Sequence, residues 1–200
     1  MKKKIALFGG TFDPIHLGHL NLAIQLQEIH QLDEVLFCPA NFSPHKESNQ
    51  PVAAAELRSS MVGLAIDPIK KFSLLKYELE KKGPSFTIDS VRMLLEAYPD
   101  SQFFLILGEL TGLEKWKDIE ELLALIQPLI GRRKEKLDLP ADLTGLSDGA
   151  RKILQKGMTP ISMMEISSTN IRERLKQKKY CGHLLPEKVL NFIYEHKLYN

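Results

Sequence analysis

Short apolar runs alternate with longer amphipathic stretches along this chain. Residues 4–8 read as a first strand, and residues 17–31 as a helix that carries Leu22, Leu26 and Ile29 on one face. Residues 34–38 form a second expected strand, ended by Pro39. Residues 40–51 hold Pro44 and Pro51 with little apolar content and are expected as a loop. A helix over 53–66 stops at Asp67-Pro68, a strand follows over 72–79, and a helix over 87–98 ends at Pro99. Residues 102–107 contain Phe-Phe-Leu-Ile-Leu without alternation, as expected for a strand buried on both faces. Further on, the pattern predicts a helix over 113–125, a strand over 128–131 and irregular polar chain over 133–149. A strand over 161–166, a helix over 168–178 with a Ser/Thr start, and a helix over 186–196 with proline in its first turn complete it.

Strands that alternate with helices of this length imply a doubly wound parallel α/β sheet with flanking helices and a small C-terminal helical part. The pattern shows no repeat and no obvious linker, so residues 1–200 are expected to form a single domain. Ligands of such sheets bind beyond the carboxyl ends of the strands. Gly9-Gly10, Gly108 and Ser167-Ser168 each follow a predicted strand, so three candidate segments converge on one sheet edge.

Composition narrows the function classes. Net charge is +2, with 26% charged residues, which gives no basic field for nucleic acid or an anionic membrane. No run approaches the ~18 apolar residues of a membrane span, and the apolar run behind Met1-Lys2-Lys3-Lys4 is too short for a signal sequence. The two cysteines, Cys38 and Cys181, form no zinc pattern and no disulfide framework. A reducing, cytoplasmic setting is expected.

The chemistry concentrates at residues 8–19. Gly9-Gly10 is not the dinucleotide fingerprint, and no acidic residue ends the second strand, which disfavours hydride transfer. By itself the glycine pair is equally a tight turn. His16 and His19 share one helical face, but they lack the i, i+4 spacing and the glutamate of a helical zinc pair. Two imidazoles at one helix start behind a glycine turn point instead to phosphate contact. Ser167-Ser168-Thr169 with Arg172 opens a second helix and offers another anion site, and the three hydroxyls exceed what capping needs. Alone, Pro44-His45-Lys46 reads as a solvated loop, although a lysine there suits a phosphate as a point charge. Trp116 lies among charged residues, which suggests a partly exposed ring, while Ser85-Phe86-Thr87 is open between helix capping and ligand contact.

Together, Gly9-Gly10-Thr11-Phe12-Asp13-Pro14-Ile15-His16-Leu17-Gly18-His19 and Ile166-Ser167-Ser168-Thr169-Asn170-Ile171-Arg172 resemble the motifs of the HxGH nucleotidyltransferase superfamily, a Rossmann-like fold. Within it the chain is most similar to the bacterial nicotinate-nucleotide adenylyltransferases. The similarity extends over Pro44-His45-Lys46, Arg58 with Met61, Ser85 to Asp89, Trp116, Arg132-Arg133 and Leu185-Pro186 through Leu198-Tyr199.

The resemblance implies that ATP and nicotinate mononucleotide give nicotinate adenine dinucleotide and pyrophosphate, a step of NAD biosynthesis, with Mg2+ carried by the ATP phosphates and no protein metal site. It implies that His16, His19, Lys46 and Arg172 act at the phosphates. Gly9, Gly10, Thr11, Phe12, Gly108, Glu109, Arg133, Ser167, Ser168 and Thr169 would complete the ATP site. Thr11, His45, Lys46, Phe86, Thr87, Trp116 and Lys117 would receive the mononucleotide. Phe86 stands where the family usually has tyrosine. Gly108-Glu109-Leu110 departs from the family's Gly-x-Asp: either Glu109 supplies the carboxylate or that contact is lost. The partners implied are small molecules, with a monomer or small homo-oligomer as the assembly. Other readings are another superfamily member, such as a phosphopantetheine adenylyltransferase or a cytidylyltransferase, and a non-catalytic nucleotide-binding relative.

Overall fold

β1 (Lys4–Gly10) lies at the centre of a six-stranded, wholly parallel sheet ordered β3-β2-β1-β4-β5-β6 in a computed structural model. The structure describes residues 2–41, 50–81, 83–108, 110–140, 143 and 145–200. β2 (Glu34–Pro39) and β3 (Phe72–Leu74) extend the sheet on one side, and β4 (Gln102–Leu107), β5 (Gln127–Arg132) and β6 (Met158–Pro160) on the other. The winding direction reverses between β1 and β4. That reversal opens a crevice at their carboxyl ends, where doubly wound folds bind ligands.

Alternate residues of each central strand serve two cores, which explains the unbroken apolar runs. Ala6, Phe8, Val35, Phe37, Phe104 and Ile106 face one layer, built from α1 (Leu17–His30), α2 (Ala55–Ile66), α7 (Ser168–Lys176) and α8 (Glu187–Glu195). Ile5, Leu7, Cys38, Phe103, Leu105 and Leu107 face the other, built from α4 (Thr87–Ala97), α5 (Ile119–Leu125) and α6 (Asp148–Gly157). The C-terminal helices therefore belong to the sheet's own core. Both cysteines are buried and unpaired.

Four stretches differ from the sequence pattern. The strand expected over 72–79 pairs only through Leu74, opposite Phe37, and its last ladder bond is Leu75 N–H to the Phe37 carbonyl at 2.8 Å. A helical turn, α3 (Tyr77–Glu80), follows and buries Glu78. The helix expected over 113–125 is broken. A 3₁₀ turn at Leu113–Lys115 leads to extended Trp116, and Asp118 sits at φ 51, in the left-handed region, before α5 begins.

The strand expected over 161–166 lies three residues earlier, as β6. Past Pro160 the backbone of Ser162 is satisfied by α1 side chains instead of a ladder: Asn21 and Gln25 amides donate to its carbonyl at 2.7 and 2.8 Å, and its N–H donates to Gln25 Oε1. Finally, α6 was not anticipated. Ser147 caps it, and Gly157 ends it where a Cβ would lie 2.4 Å from the Pro128 carbonyl oxygen. A helix-poor residue is required there by close approach to β5.

Candidate active site

β1 ends at Gly9-Gly10, and the chain turns sharply under its own aromatic side chain. A Cβ on Gly10 would sit 2.9 Å from the Phe12 ring, so only glycine leaves room for it. Phe12 holds φ 48, a costly conformation for a bulky residue. Burial of its ring edge-on to Phe8 (5.5 Å) and His19 (5.1 Å) keeps it there. A Cβ on Gly9 would meet nothing within 4 Å, so the strand end faces open space.

Asp13 follows, joined to Pro14 by a cis peptide bond and only 4% exposed. Its carboxylate accepts the N–H of Val52 at 2.8 Å, the N–H of Ala53 at 3.1 Å and the hydroxyl of Tyr199 at 2.7 Å. Burial first, and then the Asp13 carboxylate, pushes the Tyr199 hydroxyl far above its ordinary pKa, so it stays a donor. Beside it the buried guanidinium of Arg58 donates to the carbonyls of Thr11 (2.6 Å), Asn41 (2.8 Å) and Ala53 (3.1 Å). Asp13, Arg58 and Tyr199 thus hold the segments after β1 and β2 at fixed separation. The sequence pattern gave none of them a role. A charged pair in an otherwise apolar layer was the signal that could have found Asp13 and Arg58.

The two histidines cap α1 with their rings. His19 N–H donates to His16 Nδ1 at 3.3 Å, and His16 N–H donates to His19 Nδ1 at 3.2 Å. The imidazoles stack with centroids 3.6 Å apart. Gly18 makes this possible, because a Cβ there would lie 3.1 Å from His16 Nδ1 and 3.0 Å from the Met164 carbonyl oxygen. Each Nδ1 accepts a hydrogen bond, so each neutral ring carries its proton on Nε2. The Leu17 N–H is also committed, to the Leu184 carbonyl at 3.0 Å. Anion contact at this helix start therefore falls to the Nε2–H edges. Burial lowers the His16 pKa to about 4. Burial, with the neighbouring His16, pushes His19 well below its usual range.

The second motif docks directly on the first. Ser168 Oγ donates to the Pro14 carbonyl at 2.9 Å, across 154 positions of sequence. Arg172 donates to the Asp13 carbonyl at 2.7 Å and to Thr169 Oγ1 at 3.3 Å, with the Asp13 carboxylate at 3.8 Å. The hydroxyls do not cap α7: Ser167 makes no side-chain cap bond, and Ser168 is spent on Pro14. No serine side chain caps this helix start, so its first backbone N–H groups are not taken up by Ser167 or Ser168.

Gly108 is exposed at the end of β4, across the crevice from Gly9. Arg133 lies beyond β5, donates to Glu165 at 2.5 Å and lines a cavity of about 460 Å³ with Gln25, Pro160 and Met163. A third region gathers Phe86, Thr87, Trp116 and Lys117. Thr87 opens α4 without a side-chain cap, and Lys117 Nζ stands 4.6 Å from the Phe86 ring centroid and 3.7 Å from Asp89. The Trp116 ring is half-buried against the same core as Phe86. His45, Lys46 and Glu109 lie outside the described residues.

A parallel sheet with two helix N-termini and two Nε2–H imidazoles at its switch point defines a Rossmann-like nucleotidyltransferase site. Residues 7–174 match the Cytidylyltransferase-like family model. The chain is 38% identical over 199 residues to the nicotinate-nucleotide adenylyltransferase of Bacillus subtilis strain 168, covering 98% of each chain. It is 36% identical over 203 residues to an Oceanobacillus iheyensis protein named a probable nicotinate-nucleotide adenylyltransferase, covering 98% of this chain and 97% of that one. The fold matches a Plasmodium falciparum nicotinic acid mononucleotide adenylyltransferase complexed with NaAD, at TM-score 0.72 and 20% identity, over 98% of this chain and 97% of that one. The chain belongs to the cytidylyltransferase-like family, among its nicotinate-nucleotide adenylyltransferases.

The lowered His16 pKa has a consequence with a definite sign. Below pH 6.5 the unfolded chain binds protons that folded His16 refuses, so stability falls as pH drops from about 6.5 toward about 4. The loss is roughly 3 kcal/mol for His16 once both states are protonated. NMR titration of the ring checks it directly: an Nε2–H tautomer persisting to near pH 4 is expected, and a ring titrating near its ordinary value contradicts the geometry.

Proposed function

We infer that this chain is an adenylyltransferase that joins ATP to nicotinate mononucleotide, releasing pyrophosphate and forming nicotinate adenine dinucleotide for NAD biosynthesis. The docking of the α7 N-terminus and Arg172 onto the Asp13-Pro14 turn beside the His16–His19 pair carries this reading. One helix N-terminus, two imidazole Nε2–H edges and a guanidinium lie at one crevice, a donor set suited to a triphosphate. The names of the two full-length relatives favour a pyridine mononucleotide over a pantetheine or cytidine substrate.

The acceptor phosphate has its second pKa near ~6 and is largely dianionic at neutral pH. It attacks the α-phosphorus of ATP in line, without a general base, and pyrophosphate leaves on the opposite side. Catalysis is then positioning plus charge stabilisation. Neutral His16 and His19 donate Nε2–H bonds to the phosphates, and the phosphate charge raises their pKa values so that each can take up a proton as the leaving group gains charge. Arg172 and the α7 N-terminus hold the other phosphate oxygens, and Lys46 adds a point charge. Gly9, Gly10, Thr11 and Gly108 let the nucleotide approach the strand ends, and Arg133 flanks it. Mg2+ is proposed as a companion of the ATP phosphates rather than of a protein site. When bound there it neutralises part of the triphosphate charge.

The acceptor end is read from α4. An uncapped helix N-terminus at Thr87, with Lys117 over Phe86 and Trp116 beside them, suits an aromatic ring bearing a carboxylate. Among the described residues no helix is long and apolar enough to cross a membrane. We place the chain as a single domain working on small molecules in the cytoplasm.

Pyrophosphate release with ATP and magnesium tests the acceptor. Nicotinate mononucleotide is expected to exceed nicotinamide mononucleotide by at least ~10² in kcat/KM, because a neutral amide leaves the anion donors unmatched. Equal turnover of the two refutes the assignment. His19→Ala is expected to lose ~10²–10³ in kcat with its circular dichroism unchanged, the usual loss for one preorganised donor. Near wild-type turnover by that variant removes His19 from the machinery.

A further inference from the structure

Among the buried polar side chains Asp13, His16 and Arg58 belong to the phosphate crevice, whereas Glu78 and Ser90 form a pair away from it. Glu78, 5% exposed, sits in α3 and accepts the Ser90 hydroxyl at 2.8 Å, and Ser90 itself is fully buried. The adenylyl transfer described above makes no use of this carboxyl. Burying it is costly unless every oxygen finds a donor.

The donors show what the carboxyl ties together. After Ser90, the neighbouring side chains of Ser85 and Cys38 also hold down the rise that burial gives the Glu78 pKa. Ser85 Oγ in turn accepts the Asn41 N–H at 2.9 Å. One carboxyl thus lies beside the end of β2 at Cys38 and the segment that leads into α4 at Ser85, and is hydrogen-bonded to the first turn of α4 at Ser90. Phe86 and Thr87 lie between the two anchored serines. Neither residue is held by a side-chain cap of its own, since Phe86 stands at the N-cap position and makes none. Burial raises the Glu78 pKa, and the Ser90 hydrogen bond, with the Ser85 and Cys38 side chains beside it, opposes that rise.

We propose that Glu78 is a positioning residue for the acceptor pocket, fixing Phe86 and the α4 N-terminus from below so that their donors meet the nicotinate carboxylate. The proposal rests on the reading that this pocket takes nicotinate mononucleotide. Glu78 touches neither substrate. It acts through Ser85 and Ser90, so its loss loosens one pocket and leaves the triphosphate clamp alone.

Steady-state kinetics on purified Glu78→Ala and Glu78→Gln, with both substrates varied and thermal midpoints recorded, tests this. Glu78→Ala is expected to raise KM for nicotinate mononucleotide about tenfold, the size of one lost charged hydrogen bond, with KM for ATP within about twofold of wild type. Glu78→Gln, equal in length and keeping an acceptor for Ser90, is expected to restore most of the difference. A parallel rise in both KM values, no rise in either, or no rescue by glutamine overturns the proposal. If Glu78→Ala does not fold, Ser90→Ala removes the hydrogen bond to the same carboxyl and must show the same one-sided rise. The wild-type control separates the two readings: no wild-type turnover of nicotinate mononucleotide means that the acceptor assignment fails. Normal wild-type turnover with symmetric variants means that only the role of Glu78 fails.

Discussion

The buried carboxylate of Asp13 is the constraint on which the site depends. It lies at the turn between β1 and α1 and accepts donors from residues 52–53 and from Tyr199, while Arg172 reaches over it to its own carbonyl. A carboxylate this enclosed is tolerated only when its oxygens are met by strong donors. Meeting them fixes the N-terminal motif, the segment preceding α2, the α7 helix and the C-terminal Tyr199 at one point. Arg58 completes the arrangement by drawing the Thr11, Asn41 and Ala53 carbonyls around a single guanidinium. Precision at the reacting phosphates therefore originates in a layer beneath them.

Above that layer the histidines do two jobs with two different nitrogens. The Nδ1 atoms close the start of α1, where a serine or aspartate would normally stand, and this fixes the tautomer that presents Nε2–H outward. Stacking and burial keep both rings neutral in the free protein. On the proposed reading an anion is bound by hydrogen-bond donors that gain charge as the reaction demands it, which suits a site that must release a polyanionic product. Gly18 is part of the same device, since any side chain there would push the His16 ring away.

Much of this was legible in the sequence, where chemistry and local geometry coincide. The glycine turn, the histidine pair and the Ser/Thr-rich start of α7 signal phosphate binding through residue types at short spacing, and the strand-helix alternation yields the sheet. What the sequence hid was tertiary. The helix α6 carries Gly149 and Gly157, the latter forced by contact with Pro128, so its propensity is weak. The segment after β6 looks apolar enough for a strand, yet its backbone is satisfied by Asn21 and Gln25. Asp13, Arg58, Glu78 and Tyr199 work through partners up to 186 positions away, which no local pattern reveals.

The central claim is that the Asp13 carboxylate, rather than any residue touching the phosphates, sets the geometry of the clamp. Asp13→Asn tests it most directly, because the amide keeps the shape but must turn an NH2 toward a backbone N–H, the Tyr199 hydroxyl or Arg172. Pyrophosphate release from ATP and nicotinate mononucleotide, measured beside the urea midpoint, is predicted to fall by at least ~10² in kcat/KM, with a stability loss of about 3 kcal/mol. A variant with wild-type kcat/KM and an unmoved midpoint would contradict the account.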